Sequence, residues 1–128
     1  MRFEHFAINV PDPVKMAQWY VDNLDMITAR SQNQRPFTHF LADSSGQIVL
    51  EIYSNPIGEI PNYSEMSPLT FHIAFLVDDM AKTSARLIEA GAAPEGDVEI
   101  TPAGDQLAFL RDPWSVTVQL VKRNKPLL

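Results

Sequence analysis

His5-Phe6-Ala7-Ile8-Asn9-Val10-Pro11-Asp12 lies over His72-Ile73-Ala74-Phe75-Leu76-Val77-Asp78-Asp79 at an offset of 67, with His, Ala, Val and Asp identical. Further along, Phe40-Leu41-Ala42-Asp43 matches Phe109-Leu110-Arg111-Asp112, and the stretch holding Glu51 matches the stretch holding Gln119. Self-similarity that persists along a chain marks a duplicated structural module. Each copy opens with an apolar strand pattern, over residues 2–10 and 69–77, and a helix follows each. Asp12 before Pro13 reads as an N-cap with proline in the first turn, and Met16, Tyr20 and Leu24 recur at helical spacing. In the second copy Asp78 or Asp79 caps the helix and Gly91 ends it. Shorter strands complete the copies near 26–31, 36–42 and 47–54, and near 97–101, 105–111 and 115–122, with Ser44-Ser45-Gly46 and Asp112-Pro113 in the last turns. The chain is therefore expected to be α+β: tandem βαβββ modules over 1–54 and 69–122, joined by a linker at 55–68, forming one domain over 1–128. A single module is too small to hide its own sheet, so curved mixed sheets should share a central cleft.

Strand side chains alternate, which divides each repeated strand into faces. One face carries Phe6, Ile8 and Val10; Ile48, Leu50 and Ile52; Phe71, Ile73, Phe75 and Val77; and Val116, Val118 and Leu120. That uniformly apolar set is the expected core. The opposite face carries His5, Ala7 and Asn9; Val49, Glu51 and Tyr53; His72 and Ala74; and Thr117, Gln119 and Val121. Hydrophobic neighbours surround the polar members, so they are expected inside the fold, where an unsatisfied group costs a few kcal/mol.

Composition narrows the possible chemistry. Lys and Arg number 10 against 16 Asp and Glu, a formal charge of −6, which opposes binding to nucleic acid or to anionic lipid. Cysteine is absent, so thiolate nucleophiles, disulfides and sulfur-ligated metals are excluded. No apolar run approaches the roughly 20 residues of a membrane span, and the opening residues form no signal peptide. A soluble cytoplasmic protein is expected.

Any bound metal must then use His, carboxylate or amide ligands. His5, Glu51, His72 and Gln119 correspond pairwise across the repeat. If a pseudo-two-fold axis relates the copies, two imidazoles, a carboxylate and an amide oxygen converge near it, a mixed nitrogen and oxygen set suited to a first-row divalent ion. Such an ion can activate water, or polarise a carbonyl and stabilise the enolate beside it. A lone strand histidine is usually no more than a hydrogen-bonded residue. Four chemically competent residues at corresponding places favour the metal reading.

These residues carry a resemblance as well. Phe3-Glu4-His5-Phe6, the run Trp19-Tyr20-Val21-Asp22-Asn23-Leu24-Asp25-Met26, Leu50-Glu51-Ile52, Thr70-Phe71-His72-Ile73-Ala74-Phe75 and Phe109-Leu110-Arg111-Asp112-Pro113 resemble the vicinal oxygen chelate superfamily. That superfamily holds lactoylglutathione lyase (glyoxalase), extradiol dioxygenases, fosfomycin-resistance enzymes and bleomycin-binding proteins. The resemblance spans the whole chain, and it places His5, Glu51, His72 and Gln119 on the superfamily's metal-ligand positions. Two departures stand out. The usual Leu-Gly-Met reads Leu24-Asp25-Met26, where aspartate can still take a left-handed conformation. The usual glycine turn after Asp-Pro, followed by a last-strand Glu, reads Trp114-Ser115 and then Gln119. An amide is no useful base, so Glu51 is the one ligand able to move a proton.

The leading functional expectation is a glyoxalase-like lyase or isomerase acting on a small α-hydroxy-ketone or thiol-conjugated substrate. Glu51 is the catalytic base beside a zinc, nickel, manganese or iron ion. The resemblance places Asn55 where glyoxalases set an asparagine against glutathione, although a turn residue before Pro56 has the same signature. Asn9 stands where those enzymes often carry arginine. Tyr53, with Asn9 and Asn55, completes the expected substrate-binding group. An alternative uses His5, His72 and Glu51 as the two-histidine, one-carboxylate triad of non-haem iron dioxygenases or antibiotic-modifying enzymes. Against it, only His39 remains as a further histidine, read as a surface residue or one behind the ligands. A further alternative is a drug-binding protein without turnover, its cleft lined by Phe3, Phe37, Tyr53, Tyr63 and Trp114. A homodimer is expected, because open sheets leave edges to cover. The sequence leaves open whether the ligands come from one chain or two. The basic stretch Lys122-Arg123-Asn124-Lys125-Pro126 is read as a solvated end without function.

Overall fold

A computed structural model describes the backbone of residues 1–128 and every side chain except those of Ile48 and Val49. The expected places of those two, one on each face of their strand, lie outside the described residues. The chain divides into two compact units, Met1–Pro61 and Asn62–Leu128, and the division falls within the segment read as a linker. The first unit runs β1 (Phe6–Asn9), α1 (Pro13–Asn23), β2 (Ile27–Ser31), β3 (His39–Ala42) and β4 (Ile48–Tyr53). The second begins with a short 3-10 turn at Tyr63–Glu65 and runs β5 (Ile73–Leu76), α2 (Met80–Glu89), β6 (Ala93–Ile100), β7 (Gln106–Arg111) and β8 (Thr117–Lys122). The sheets have matching orders, β1-β4-β3-β2 and β5-β8-β7-β6. In each, the strand before the helix pairs in parallel with the last strand and the other pairs are antiparallel.

Local chemistry repeats with the topology. Asp12 accepts the Lys15 backbone N–H at 3.1 Å, and Asp79 accepts that of Lys82 at 3.0 Å, so equivalent aspartates start both helices. Asp79, not Asp78, is the second cap. Met16, Ala17 and Tyr20 of α1 are buried, as are Met80 and Leu87 of α2, which is the stripe an amphipathic helix turns to a sheet. The helices leave through left-handed residues, Asp25 at φ 54° and Gly91 at φ 109°. The apolar strand face is the core as expected: Ile8, Val10, Leu50, Ile52, Ile73, Val116, Val118 and Leu120 are buried, while Phe6, Phe71, Phe75 and Val77 are partly covered. Each buried Leu or Ile contributes about 1.5–3 kcal/mol relative to exposure.

The opposite face differs from expectation. Ala7, Ala74 and His72 are exposed, and His5, Glu51, Tyr53 and Gln119 are only partly covered, whereas Asn9, Thr117 and Val121 are buried. The ionisable groups here need no buried partner, because water reaches them. Strand bounds also shift for identifiable reasons. The strand expected at 69–77 starts at Ile73, because Ser67 draws the preceding residues into a turn: its carbonyl accepts Thr70 and Phe71, and its hydroxyl accepts Leu69. The strand expected at 2–10 shortens to the stretch that β4 pairs, from Phe6 opposite Leu50 to Asn9 opposite Tyr53. The strand expected at 97–101 begins at Ala93. Its position at the sheet edge tolerates Pro94, and Gly96, at φ 78°, carries the bulge between Glu95 and Glu99.

The turns before β4 and β8 are equivalent. Asp43 collects Ser45 and Gln47 around Gly46 at φ 83°, and Asp112 collects Trp114 and Val116 around Ser115 at φ 68°. A non-glycine left-handed residue costs about 1–2 kcal/mol, and the extra chain freedom of glycine returns roughly half of that. Ser115→Gly should therefore raise stability by about 0.5–1 kcal/mol in urea unfolding, while Gly46→Ala should lower it.

Among the described residues, no helix is long and apolar enough to cross a membrane.

Candidate metal and proton-transfer site

In the first unit, β1 and β4 run in parallel with Ala7 opposite Glu51, and His5 sits just ahead of the ladder. His5 Nε2 lies 3.0 Å from Glu51 Oε2. Its other ring nitrogen, Nδ1, hydrogen-bonds the carboxylate of neighbouring Glu4. The ring also stands edge-on to Phe40, centroids 5.5 Å apart, and Phe40 is the β3 residue opposite Glu51. The hydrogen-bonded Glu4 carboxylate raises the His5 pKa above the ordinary imidazole value. Partial desolvation works against this, and the charges of Glu4 and Glu51 add to the rise.

The second unit repeats the arrangement with different groups. Ala74 is opposite Gln119, and His72 precedes Ala74 by the spacing that separates His5 from Ala7. His72 stands edge-on to Phe109 at 5.3 Å, and Phe109 is the β7 residue opposite Gln119. Its Nδ1 lies 2.7 Å from the Pro68 carbonyl, so this nitrogen donates and Nε2 is left as the basic one. An imidazole anchored through Nδ1 by a carboxylate or carbonyl is the usual state of a metal-ligating histidine. Each unit therefore carries a histidine braced at Nδ1, a phenylalanine edge against the ring, and an oxygen donor on the adjoining strand. The donor types suit a divalent ion. Among the described residues, no three His, Asp or Glu side chains gather as a metal-holding group, and His5 with Glu51 is a two-donor set.

The residues expected around the substrate are placed differently from one another. Asn9 is buried, its Oδ1 accepting the Asn55 backbone N–H at 2.8 Å and its Nδ2 lying 2.9–3.2 Å from the carbonyls of Asn55, Gly58 and Glu59. It braces the loop after β4. A Cβ on Gly58 would come within 3.2 Å of the Asn9 amide nitrogen, so glycine permits that approach. Asn55 Oδ1 accepts the Ile57 N–H, the turn role weighed for it from sequence. Tyr53, at the end of β4, is partly covered. Asn9→Ala should cost about 1–3 kcal/mol, and hydrogen exchange should show faster exchange over residues 55–59.

Of the aromatics proposed to line a cleft, Tyr63 is buried with its ring 6.3 Å from that of Phe71, and Phe3 is exposed. His39 directs Nδ1 to the Phe37 carbonyl at 2.7 Å. Arg111, which the sequence places in a repeated motif without a role, is a structural anchor. Its Nη1 donates to the carbonyls of Tyr63 at 2.7 Å and Ser115 at 3.3 Å, its Nη2 to that of Met66 at 2.8 Å, and Nε pairs with Glu95 at 3.1 Å. It thereby fixes the segment that leads to His72. Its trace in the sequence is an arginine directly after the apolar run Leu107–Leu110.

No match was found among curated proteins. Solved structures share the fold. An antibiotic-binding protein, TnmS3 from Streptomyces sp. CB03234, is 21% identical, with 97% of each chain covered and a TM-score of 0.72. A glyoxalase/bleomycin resistance protein/dioxygenase family enzyme from Burkholderia phytofirmans PsJN is 20% identical, covering 93% of this chain and 96% of its own, with a TM-score of 0.70. A member of the same superfamily from Sphaerobacter thermophilus DSM 20745 is 17% identical, with coverages of 96% and 98% and a TM-score of 0.69. The family's sequence pattern matches residues 2–120, through both braced histidines and as far as β8. The chain thus belongs to the Glyoxalase/Bleomycin resistance protein/Dioxygenase superfamily.

Proposed function

We propose that the protein is a divalent-metal-dependent lyase or isomerase of the glyoxalase kind, with His5, Glu51, His72 and Gln119 as metal ligands and Glu51 as the proton-transferring group. The observation that carries this reading is the 3.0 Å approach of His5 Nε2 to Glu51 Oε2, on positions that the duplication repeats as His72 and Gln119. When bound, the ion would act as a Lewis acid that polarises a carbonyl and stabilises negative charge on its oxygen. The rest falls to the chain itself. Glu4 and the Pro68 carbonyl hold the two imidazoles by Nδ1, which presents Nε2 of each as the donor atom. Phe40 and Phe109 restrict the rings from the side. Gln119 offers an amide oxygen that takes no proton. The Glu51 carboxylate is left to remove a proton from the carbon next to the carbonyl and return it to the adjacent carbon. Small α-hydroxy-ketones and thiol conjugates of dicarbonyls are substrates with such a proton.

Ligation requires a deprotonated imidazole, and Glu4 and Glu51 favour the protonated form of His5. The raised pKa contributes stability to the metal-free protein that is fully present below the ordinary imidazole value and lost as pH climbs through the raised one. Ion affinity should change in the opposite sense, strengthening as pH rises through the same window. Calorimetric titration of dialysed protein with zinc, nickel or manganese, repeated across that window, tests this. Saturable one-to-one binding with that slope is expected; no affinity for any of the ions rejects the reading. Turnover of methylglyoxal with glutathione, set against turnover of catechols with ferrous iron and oxygen, separates proton transfer from dioxygenation.

A further inference from the structure

The halves differ where the face carrying the proposed donors continues past them. In the first unit, the positions after Ala7 and Glu51 on this face are Asn9 and Tyr53, and Asn9 is occupied in bracing the 55–59 loop. In the second unit, the equivalent positions are Leu76 and Val121, opposite each other in register. Leu76 is 75% exposed although it lies within β5. A single exposed leucine is ordinary, but this one adjoins a cavity. The cavity has a volume of about 520 Å³ and is lined by Ala74, Leu76 and Val121 together with Pro126, Leu127 and Leu128. That volume falls within the roughly 300–1,000 Å³ typical of small-molecule sites.

The segment after β8 that walls this cavity is tied in place. Asp105 accepts Arg123 Nη1 through one carboxylate oxygen and the Asn124 backbone N–H through the other, both at 2.8 Å, and the Asn124 side chain donates to the Ala103 carbonyl at 3.1 Å. These bonds hold the Asp105 carboxyl below the usual carboxylate range, the Asn124 N–H first and Arg123 next. The tie also engages Arg123, which lines the cavity with Asp78 and Lys122; the rest of the lining is apolar. Val121 lies two residues beyond Gln119 on the same face, about 7 Å along the strand, and Ala74, the residue opposite Gln119, lines the cavity.

We propose that this cavity is a substrate subsite for an uncharged apolar group, aromatic or branched aliphatic, carried by a molecule whose oxygen-bearing end lies at His72 and Gln119. The subsite names the substrate class for the activity proposed above and rests on that reading. It favours a compact apolar α-hydroxy-ketone over a polar peptide-like thiol conjugate.

The neutral fluorophore N-phenyl-1-naphthylamine is a suitable probe, because it removes charge attraction from the result. Fluorescence titration should show one saturable site per chain. Leu76→Asp, and separately removal of residues 126–128, should weaken it by about tenfold or more, the loss expected when several apolar contacts go. Ile100→Asp, on an equally open stretch of β6, should leave it unchanged. Because Leu76 is exposed, Leu76→Asp should fold, and circular dichroism checks this. Absence of saturable binding, equal weakening by Ile100→Asp, or no effect of Leu76→Asp would overturn the subsite. So would a fall in sedimentation coefficient from dimer to monomer in Leu76→Asp, which would show that a second copy covers this face. Metal titration of Leu76→Asp keeps the proposals apart: retained ion affinity with lost probe binding supports the subsite alone, and Glu51→Gln should retain the probe while losing the ion.

Discussion

Glu51→Gln should fold normally and lose ion affinity on the order of 100-fold, with turnover falling by roughly 10²–10⁴. The substitution keeps the size of the side chain and replaces a carboxylate with an amide, the group the second unit already carries at Gln119. The local fold therefore tolerates it: the partly covered side chain stands beside Phe40 on β3, as Gln119 stands beside Phe109 on β7. What disappears is the one negative charge in the proposed donor set and the carboxylate proposed to accept the substrate proton. His5 loses a partner too, so its pKa should fall toward the ordinary imidazole value in an NMR titration, while the Glu4 contact keeps it raised. Undiminished turnover in this variant would remove Glu51 from the mechanism. Undiminished ion affinity would remove it from the ligand set.

Arg111→Met should be among the most destabilising single changes outside the apolar core, costing about 2–4 kcal/mol in urea unfolding. The Arg111 side chain is only 13% exposed, and methionine preserves much of its volume. The carbonyls of Tyr63 and Met66 lose a charged donor, and Glu95 loses its cation. The damage should also reach the proposed site. The segment that Arg111 pins ends at Pro68, whose carbonyl braces His72. Ion affinity should therefore fall in Arg111→Met even under conditions where the protein is fully folded. A stability loss below about 0.5 kcal/mol would show that water replaces these bonds without penalty.

These contrasts mark what the sequence could and could not disclose. Strand alternation was enough to separate Ile8, Leu50, Ile73 and Val118 from His5, Glu51, His72 and Gln119, because a buried face must be apolar at every second residue. The caps Asp12 and Asp79 and the left-handed Asp25 followed from local chemistry, which is the same in any fold. The expectation that the polar face would be buried held for Asn9 and Thr117 and failed for His72, because flanking apolar residues show only that a strand has one buried face, and they leave the other undetermined. Arg111 and Asn9 were illegible for a related reason. Both bind backbone carbonyls some 45–50 residues away, and a carbonyl has no sequence signature. The segment at 55–68 read as a linker from its prolines, yet Asn9 and Arg111 fasten residues at either end of it. The cavity beside Leu76 depends on the position of residues 126–128, a stretch whose only sequence signal was apolarity after a basic run.

The central claim is that the duplicated histidines and their strand neighbours are metal ligands. X-ray absorption spectroscopy of the zinc- or nickel-loaded protein tests it most directly. The account predicts a sulfur-free shell of nitrogen and oxygen near 2.0–2.2 Å with two imidazoles, reduced to one imidazole in His72→Ala. A shell with no imidazole, or one identical in the protein and in His72→Ala, would contradict it.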